Sequence, residues 1–177
     1  MQNVLQYALQ NDKIILIQGN YEIDDDYQNM IGVWNMIYKA TKLIKQEMDK
    51  QELNSSINEY EKSSNVQAGY NIQNGPYIQV DFISSDDDND VAVRVFGFIN
   101  NVAEDKEEKI LKVINECNAE YRYLKFVLDE DRDVNIEYDF PVKLDDATVG
   151  VVAYELFVRC VRIAEKCYPM FMKAIWG

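Results

Sequence analysis

Two hydrophobic periods alternate along this chain, and their order limits the fold more tightly than any motif. In YIQVDFIS, Ile78, Val80 and Phe82 alternate with Gln79, Asp81 and Ile83, and a period of two puts successive side chains on opposite faces of a strand. Leu124, Phe126 and Leu128 alternate likewise with Lys125 and Val127, and Val134, Ile136, Tyr138 and Phe140 with Asn135, Glu137 and Asp139 until Pro141 ends the run. Two such runs joined by a short polar stretch predict an antiparallel hairpin. VAVRVFGFI, residues 91–99, is apolar on both faces, as in a central strand covered on each side. A short strand is predicted over 67–73, ahead of the turn residues Asn74, Gly75 and Pro76, and DKIILIQ at 12–18 is a further apolar run of strand length.

Elsewhere the period lengthens. Met30, Val33, Trp34, Ile37, Thr41, Ile44 and Met48 recur at steps of three and four, which predicts an amphipathic helix over about 28–52. Asp24, Asp25 and Asp26 precede it and can cap it. Its phase fails at Leu53, and the polar stretch 54–66 reads as a loop or frayed helix end. A second helix is predicted over about 104–118, opening with Glu104, Asp105, Glu107 and Glu108 and packing through Ile110, Val113, Ile114 and Cys117. The third, 148–168, carries a stripe of Val149, Val152, Ala153, Leu156, Cys160, Ile163, Ala164 and Cys167, widened on one flank by Tyr154, Phe157 and Val161, with Glu155, Arg159, Arg162 and Lys166 on the remainder. Pro169 is expected to interrupt it, with a further turn or so ending at Gly177. The resulting order, α-β-β-(β)-α-β-β-α, is that of an α+β fold: an antiparallel sheet flanked by helices, expected as one domain spanning 1–177.

Composition then excludes whole classes of function. A net charge of −13 argues against nucleic acid and anionic membrane surfaces, whose phosphates need clustered Lys and Arg. The opening MQNVLQYALQNDK has no basic leader and no window approaches a membrane span, so a cytoplasmic location is expected. Three widely spaced cysteines suit a reducing compartment. The chain has no histidine, which removes Ser/His and Cys/His nucleophile pairs and histidine metal ligands. Phosphate-cradling glycine motifs and the GxSxG elbow are missing too.

The acidic knot DEDRD at 129–133 is the one conspicuous cluster. A calcium loop counted from Asp129 would need glycine sixth and glutamate twelfth, where Val134 and Phe140 stand. A count from Asp86 in DDDND meets Val91 and Gly97 at those places. The knot therefore reads as the solvated tip of a hairpin, where aspartates bond the local backbone. Cys117, Cys160 and Cys167 form no C-x-x-C pair and lie on apolar helix faces, so they are expected in the core. The flank of Tyr154, Phe157 and Val161, with Tyr168 nearby, is the candidate protein-binding surface, either covered by the N-terminal segment or open to a partner or a second copy.

The stretch NECNAEYRYLKFVLDEDRDVNIEYDFPV, the preceding VRVFGFI, and the terminal Tyr168-Pro169 with Met172-Lys173-Ala174-Ile175-Trp176 together resemble the bacterial YbjN family over roughly 77–177. That resemblance implies a fold like that of type III secretion chaperones, often dimeric. It leaves 1–65 as a more weakly matching N-terminal helical region ahead of a sheet-and-helix region at 66–177. The family is described as sensory transduction regulators and is not known as enzymes, so no catalytic residue carries over. The expectation is a non-enzymatic interaction module with a regulatory or chaperone-like role, without cofactor or metal, binding an unidentified protein or forming a homodimer. A small-molecule sensor and a carboxylate-based or metal-dependent enzyme are the alternatives.

Overall fold

The computed structural model describes residues 7–10, 13–16, 37–85, 89–143 and 148–177. The chain divides into two compact units, Met1–Trp34 and Asn35–Gly177. In the first, β1 (Tyr7–Gln10) pairs antiparallel with β2 (Lys13–Leu16), which places the predicted 12–18 strand and adds a partner before it. Asp24–Asp26 and the helix stripe ahead of Ile37 lie outside the described residues.

In the second unit, α1 (Lys39–Lys50) is followed by β3 (Ser55–Glu59), β4 (Ser63–Asn71), β5 (Tyr77–Ser85) and β6 (Asp90–Ile99). A 3₁₀ turn at Glu104–Lys106 then leads to α2 (Glu107–Glu120), the hairpin β7 (Lys125–Leu128) and β8 (Val134–Pro141), and α3 (Val149–Trp176). The six strands form one antiparallel sheet in the order β3-β4-β5-β6-β8-β7. The α+β architecture and the 124–140 hairpin are as the alternation predicts.

Two expectations are corrected. Residues 54–66 are not a loop: Ile57 pairs with Val66 and Ser55 with Ala68, so the stretch makes all of β3 and the start of β4. Its polar residues are compatible with an edge strand, where one face and one rim need no apolar side chain. Pro169 does not interrupt the last helix, which runs unbroken through it. The proline is exposed while Cys167 and Phe171 on the opposite side are fully buried, so the hydrogen bond forfeited by its missing N–H falls on the solvent side and burial of its neighbours holds the helix together.

The three described helices of this unit cover one sheet face. Phe171 of α3 packs its ring 5.6 Å from Phe98 and 5.2 Å from Phe126, and Cys117 of α2 sits 3.9 Å from Met170 of α3. Asn118 of α2 donates to the carbonyl of Phe126 (2.9 Å) and accepts from its N–H (2.8 Å), satisfying the outer rim of edge strand β7.

Strand β6 departs from the expectation of apolar cover on both sides. Val91, Val93 and Val95 are buried, whereas Phe96 is 62% exposed on the other face. A bulge between Val95 and Ile99, with Gly97 at φ +61°, resets the alternation and turns Phe98 into the core. A Cβ at Gly97 would lie 2.3 Å from Asn100 Oδ1, so glycine is required there on both counts.

Thr41 reads as part of an apolar stripe but is the centre of a buried hydroxyl cluster. Its Oγ1 lies 2.8 Å from Ser64 Oγ, 3.2 Å from Ser84 Oγ and 3.4 Å from the Ser64 carbonyl, and Ser64 Oγ accepts the Tyr38 N–H at 3.1 Å. All three hydroxyl residues are fully buried, so α1 is keyed to β4 and β5 by polar bonds in a dry setting. Thr41→Val is expected to lower the unfolding free energy by about 1–3 kcal/mol in urea titrations, because it strands Ser84. Adding Ser84→Ala should return part of that loss.

Candidate functional site

The DEDRD knot is a hairpin turn, as predicted, and it also has a structural task. Asp129 N–H donates to the Asp133 carbonyl (3.0 Å) and its carboxylate accepts from Asp133 N–H (2.9 Å) and Asn135 Nδ2 (2.7 Å). Asn135 in turn accepts the N–H of Gly97 at 2.8 Å, so the acidic turn orients the amide that holds the β6 bulge. The N–H of Asp133 and the amide of Asn135 hold the Asp129 carboxyl below the usual carboxylate range, against a smaller opposing effect of burial. A depressed carboxyl stabilises the fold above its unfolded-state pKa and loses that contribution as pH falls through the folded one. Asp129→Asn should therefore show a shallower loss of melting temperature than the parent between about pH 4 and pH 2.

The cysteines are in the core. Cys117, Cys160 and Cys167 are free and buried. Burial pushes the Cys160 thiol up to about 12 and also raises Cys117 and Cys167, the reverse of what a nucleophile or metal ligand requires. Among the described residues no group of three or more Cys, Asp or Glu is placed to hold a metal ion. An aromatic disulfide reagent should label none of the three thiols in the native protein within minutes and all of them in denaturant.

The predicted binding flank of α3 turns largely inward. Phe157 and Val161 are buried, 5% and 7% exposed, and Tyr154 and Tyr168 are half-buried against the same core. The cover is visible at both ends. Gly150 meets the α1 backbone at Leu43, and the β4–β5 turn reaches Tyr168 through Gly75, with Gln73 N–H donating to Glu165 Oε1 at 3.3 Å. Of the two readings of this flank, Phe157 and Val161 follow the covered one and are core and not surface, with α1 from the N-terminal part of the chain and this turn, which the sequence does not place there, as the cover.

The opposite, outward side of α3 presents a different surface. Arg159, Arg162, Lys166 and Lys173 are exposed at steps of three, four and seven, so they form one stripe about 21 Å long. Beside it runs the turn between α2 and β7. Arg159 lies over the Tyr123 ring at 5.1 Å and Lys166 over that of Tyr121 at 5.9 Å. Tyr123 is held at φ +73°, with Leu124 N–H donating to the Arg122 carbonyl at 3.1 Å, a strained three-residue turn. Its ring meets Tyr138 edge-on at 5.7 Å yet stays 48% exposed. Lys125 closes the C-terminus of α2 by donating to the Asn118 and Tyr121 carbonyls. The helical period puts three of these cations, Arg159, Arg162 and Lys166, on the remainder of α3 without pointing to a role for them. The signal available was their spacing in a chain so short of positive charge.

A third feature is a recess of about 120 Å³ on the sheet face away from the described helices, lined by residues of β3–β5 including Gln67, Gly69, Tyr77 and Gln79. The Tyr77 ring lies across Gly69, where a Cβ would come within 1.6 Å of its hydroxyl. This is an aromatic covering a strand glycine.

Among the described residues of the second unit, three helices on one face of a six-stranded antiparallel sheet define an α+β domain. The chain belongs to the YbjN family, described as "Putative bacterial sensory transduction regulator", which matches residues 78–171. That description is of regulators and not of enzymes. No curated protein and no solved structure matches the chain. Among the described residues no helix is long and apolar enough to cross a membrane.

Proposed function

We propose that this YbjN domain is a non-enzymatic interaction module with a regulatory or chaperone-like role, engaging a protein partner through the outward side of α3 and the adjoining turn. The observation that carries this reading is Tyr123. A non-glycine residue in the left-handed region is strained by about 1–2 kcal/mol, and this one spends that strain on holding an aromatic ring half in solvent beneath an arginine. The edge-on contact with Tyr138 covers only part of the ring, and exposed Tyr and Arg side by side are the residues that dominate protein interfaces.

The alternatives have less support. General acid–base chemistry near neutral pH favours carboxyls shifted upward, and among the described residues the two shifted carboxyls, Glu47 and Asp129, are both shifted down. A small-molecule sensor would suit an enclosed pocket of about 300–1,000 Å³, and the recess that the described residues form on the sheet is about 120 Å³.

A photo-crosslinking residue placed at Arg162 should yield a discrete adduct with a second protein in living cells, and the same residue at Glu130, on the hairpin tip, should not. An adduct of twice the chain mass identifies the partner as a second copy. Equal labelling from both positions, or none from either, would count against the reading.

A further inference from the structure

We infer that the stripe on α3 and the Arg122–Tyr123 turn bind an acidic protein segment. This rests on the interaction reading above and names the chemistry of the partner. The protein carries only 18 Lys and Arg against 31 Asp and Glu, so cations spread at random would nearly everywhere be outnumbered. Here five of them, Arg122, Arg159, Arg162, Lys166 and Lys173, are exposed on α3 and the turn beside it. The carboxylates of the same helix and turn do not cancel them. Glu155 reaches Arg159 only at 3.9 Å with both side chains largely in solvent, which is an ion pair of little strength. Glu165 accepts from the Gln73 backbone, and Glu120 is engaged with the Tyr121 hydroxyl, which leaves five cations against three carboxylates over the helix and the turn. Among the described residues Arg122, Arg162 and Lys173 have no carboxylate within ion-pair distance.

The net charge of −13 does not forbid an acidic ligand. At physiological ionic strength charges are screened over about 8 Å, so a segment lying on a stripe about 21 Å long responds first to the cations it touches. Two neighbouring rings, Tyr121 and Tyr123, lie under those cations. Each cation is thereby held near one position, which lowers the entropy lost when it meets a carboxylate. The long-range field acts in the other direction on extended polyanions. A nucleic acid reaches beyond the stripe into the acidic remainder of the surface and is repelled there, so a short acidic segment fits where a duplex does not.

The test uses the full chain and a fluorescein-labelled peptide of about 15 residues, long enough to span the stripe as a helix, with Glu at alternate turns and one Phe. A second peptide carries Gln at every Glu. Fluorescence anisotropy should show binding of the Glu peptide that weakens at least tenfold when salt is raised from about 0.05 to 0.3 M, and no saturable binding of the Gln peptide. The triple variant R159E/R162E/K166E, all at exposed positions, should keep the parent's melting temperature within a few degrees and lose at least tenfold in affinity. Tyr123→Gly, which removes the strain along with the ring, should weaken binding severalfold while the protein stays folded. Equal binding of the two peptides, unchanged affinity in the folded triple variant, or tighter binding of a single-stranded oligonucleotide of similar charge would each overturn the inference. If the crosslinked partner at Arg162 persists while the Glu peptide fails, the interaction reading survives and only the acidic chemistry is lost.

Discussion

The bulge at Gly97 is the constraint on which the rest of the second unit depends. Up to Val95 the odd residues of β6 face the helices, and without an irregularity Phe98 would follow Phe96 into solvent. Between Val95 and Ile99 the strand carries two residues more than its partner β8, and the irregularity turns Phe98 inward, where it meets Phe126 at 5.5 Å, Phe171 at 5.6 Å and Tyr168 at 5.9 Å. Burying a phenylalanine is worth about 1.5–3 kcal/mol, and here it also joins β6, β7 and the C-terminal half of α3 at one point. That anchor lets α3 continue through Pro169. The bulge itself is held from the hairpin, through Gly97 N–H, the Asn135 amide and the Asp129 carboxylate. An acidic turn therefore supports an apolar cluster in the core.

The layer over the sheet is fastened by contrasting means at its two ends. Around α3 and α2 the contacts are rings and thiols, and the hydrophobic term dominates. Around α1 three fully buried hydroxyls share a small set of protons. A hydrophobic face tolerates sliding, whereas a hydroxyl cluster has few satisfactory registers. The polar key fixes where α1 sits on β4 and β5, and α1 in turn closes over the N-terminal end of α3 at Gly150. Phe157 and Val161 become core as a consequence. What remains of α3 for solvent is its outward stripe, so the position of the candidate surface follows from the packing of the opposite side.

Most of the fold is legible in the period of the apolar residues, because that period is set by backbone geometry and survives any tertiary context. The hairpin at 125–141, the amphipathic helices and the buried thiols follow from it. Three kinds of feature do not. Polar edge strands such as β3 carry no alternation, since one side of them never needs to be apolar. A bulge is invisible to a period, and VAVRVFGFI reads as a doubly covered strand only because Phe98 has changed sides. An apolar arc wider than half a helix shows that a helix touches more than one element but not which element lies where, so Phe157 and Val161 could be read as surface. Tyr123 escapes for a different reason: a left-handed backbone at a tyrosine has no sequence signature, since it is imposed by the ends of α2 and β7 that the turn must join.

That origin separates the turn from an accident of packing. Lys125 and Asn118 bind the end of α2 to the start of β7 on both sides of the turn, through carbonyls at the helix terminus and the rim of the strand. The connection is pinned at both ends and too short to relax, so the strain is borne by the residue between them. Asparagine or glycine would carry the same backbone with less cost, and either would satisfy the fold. A tyrosine there adds its ring, which meets Tyr138 edge-on, lies under Arg159 and leaves about half of its surface to water, open to what approaches from outside.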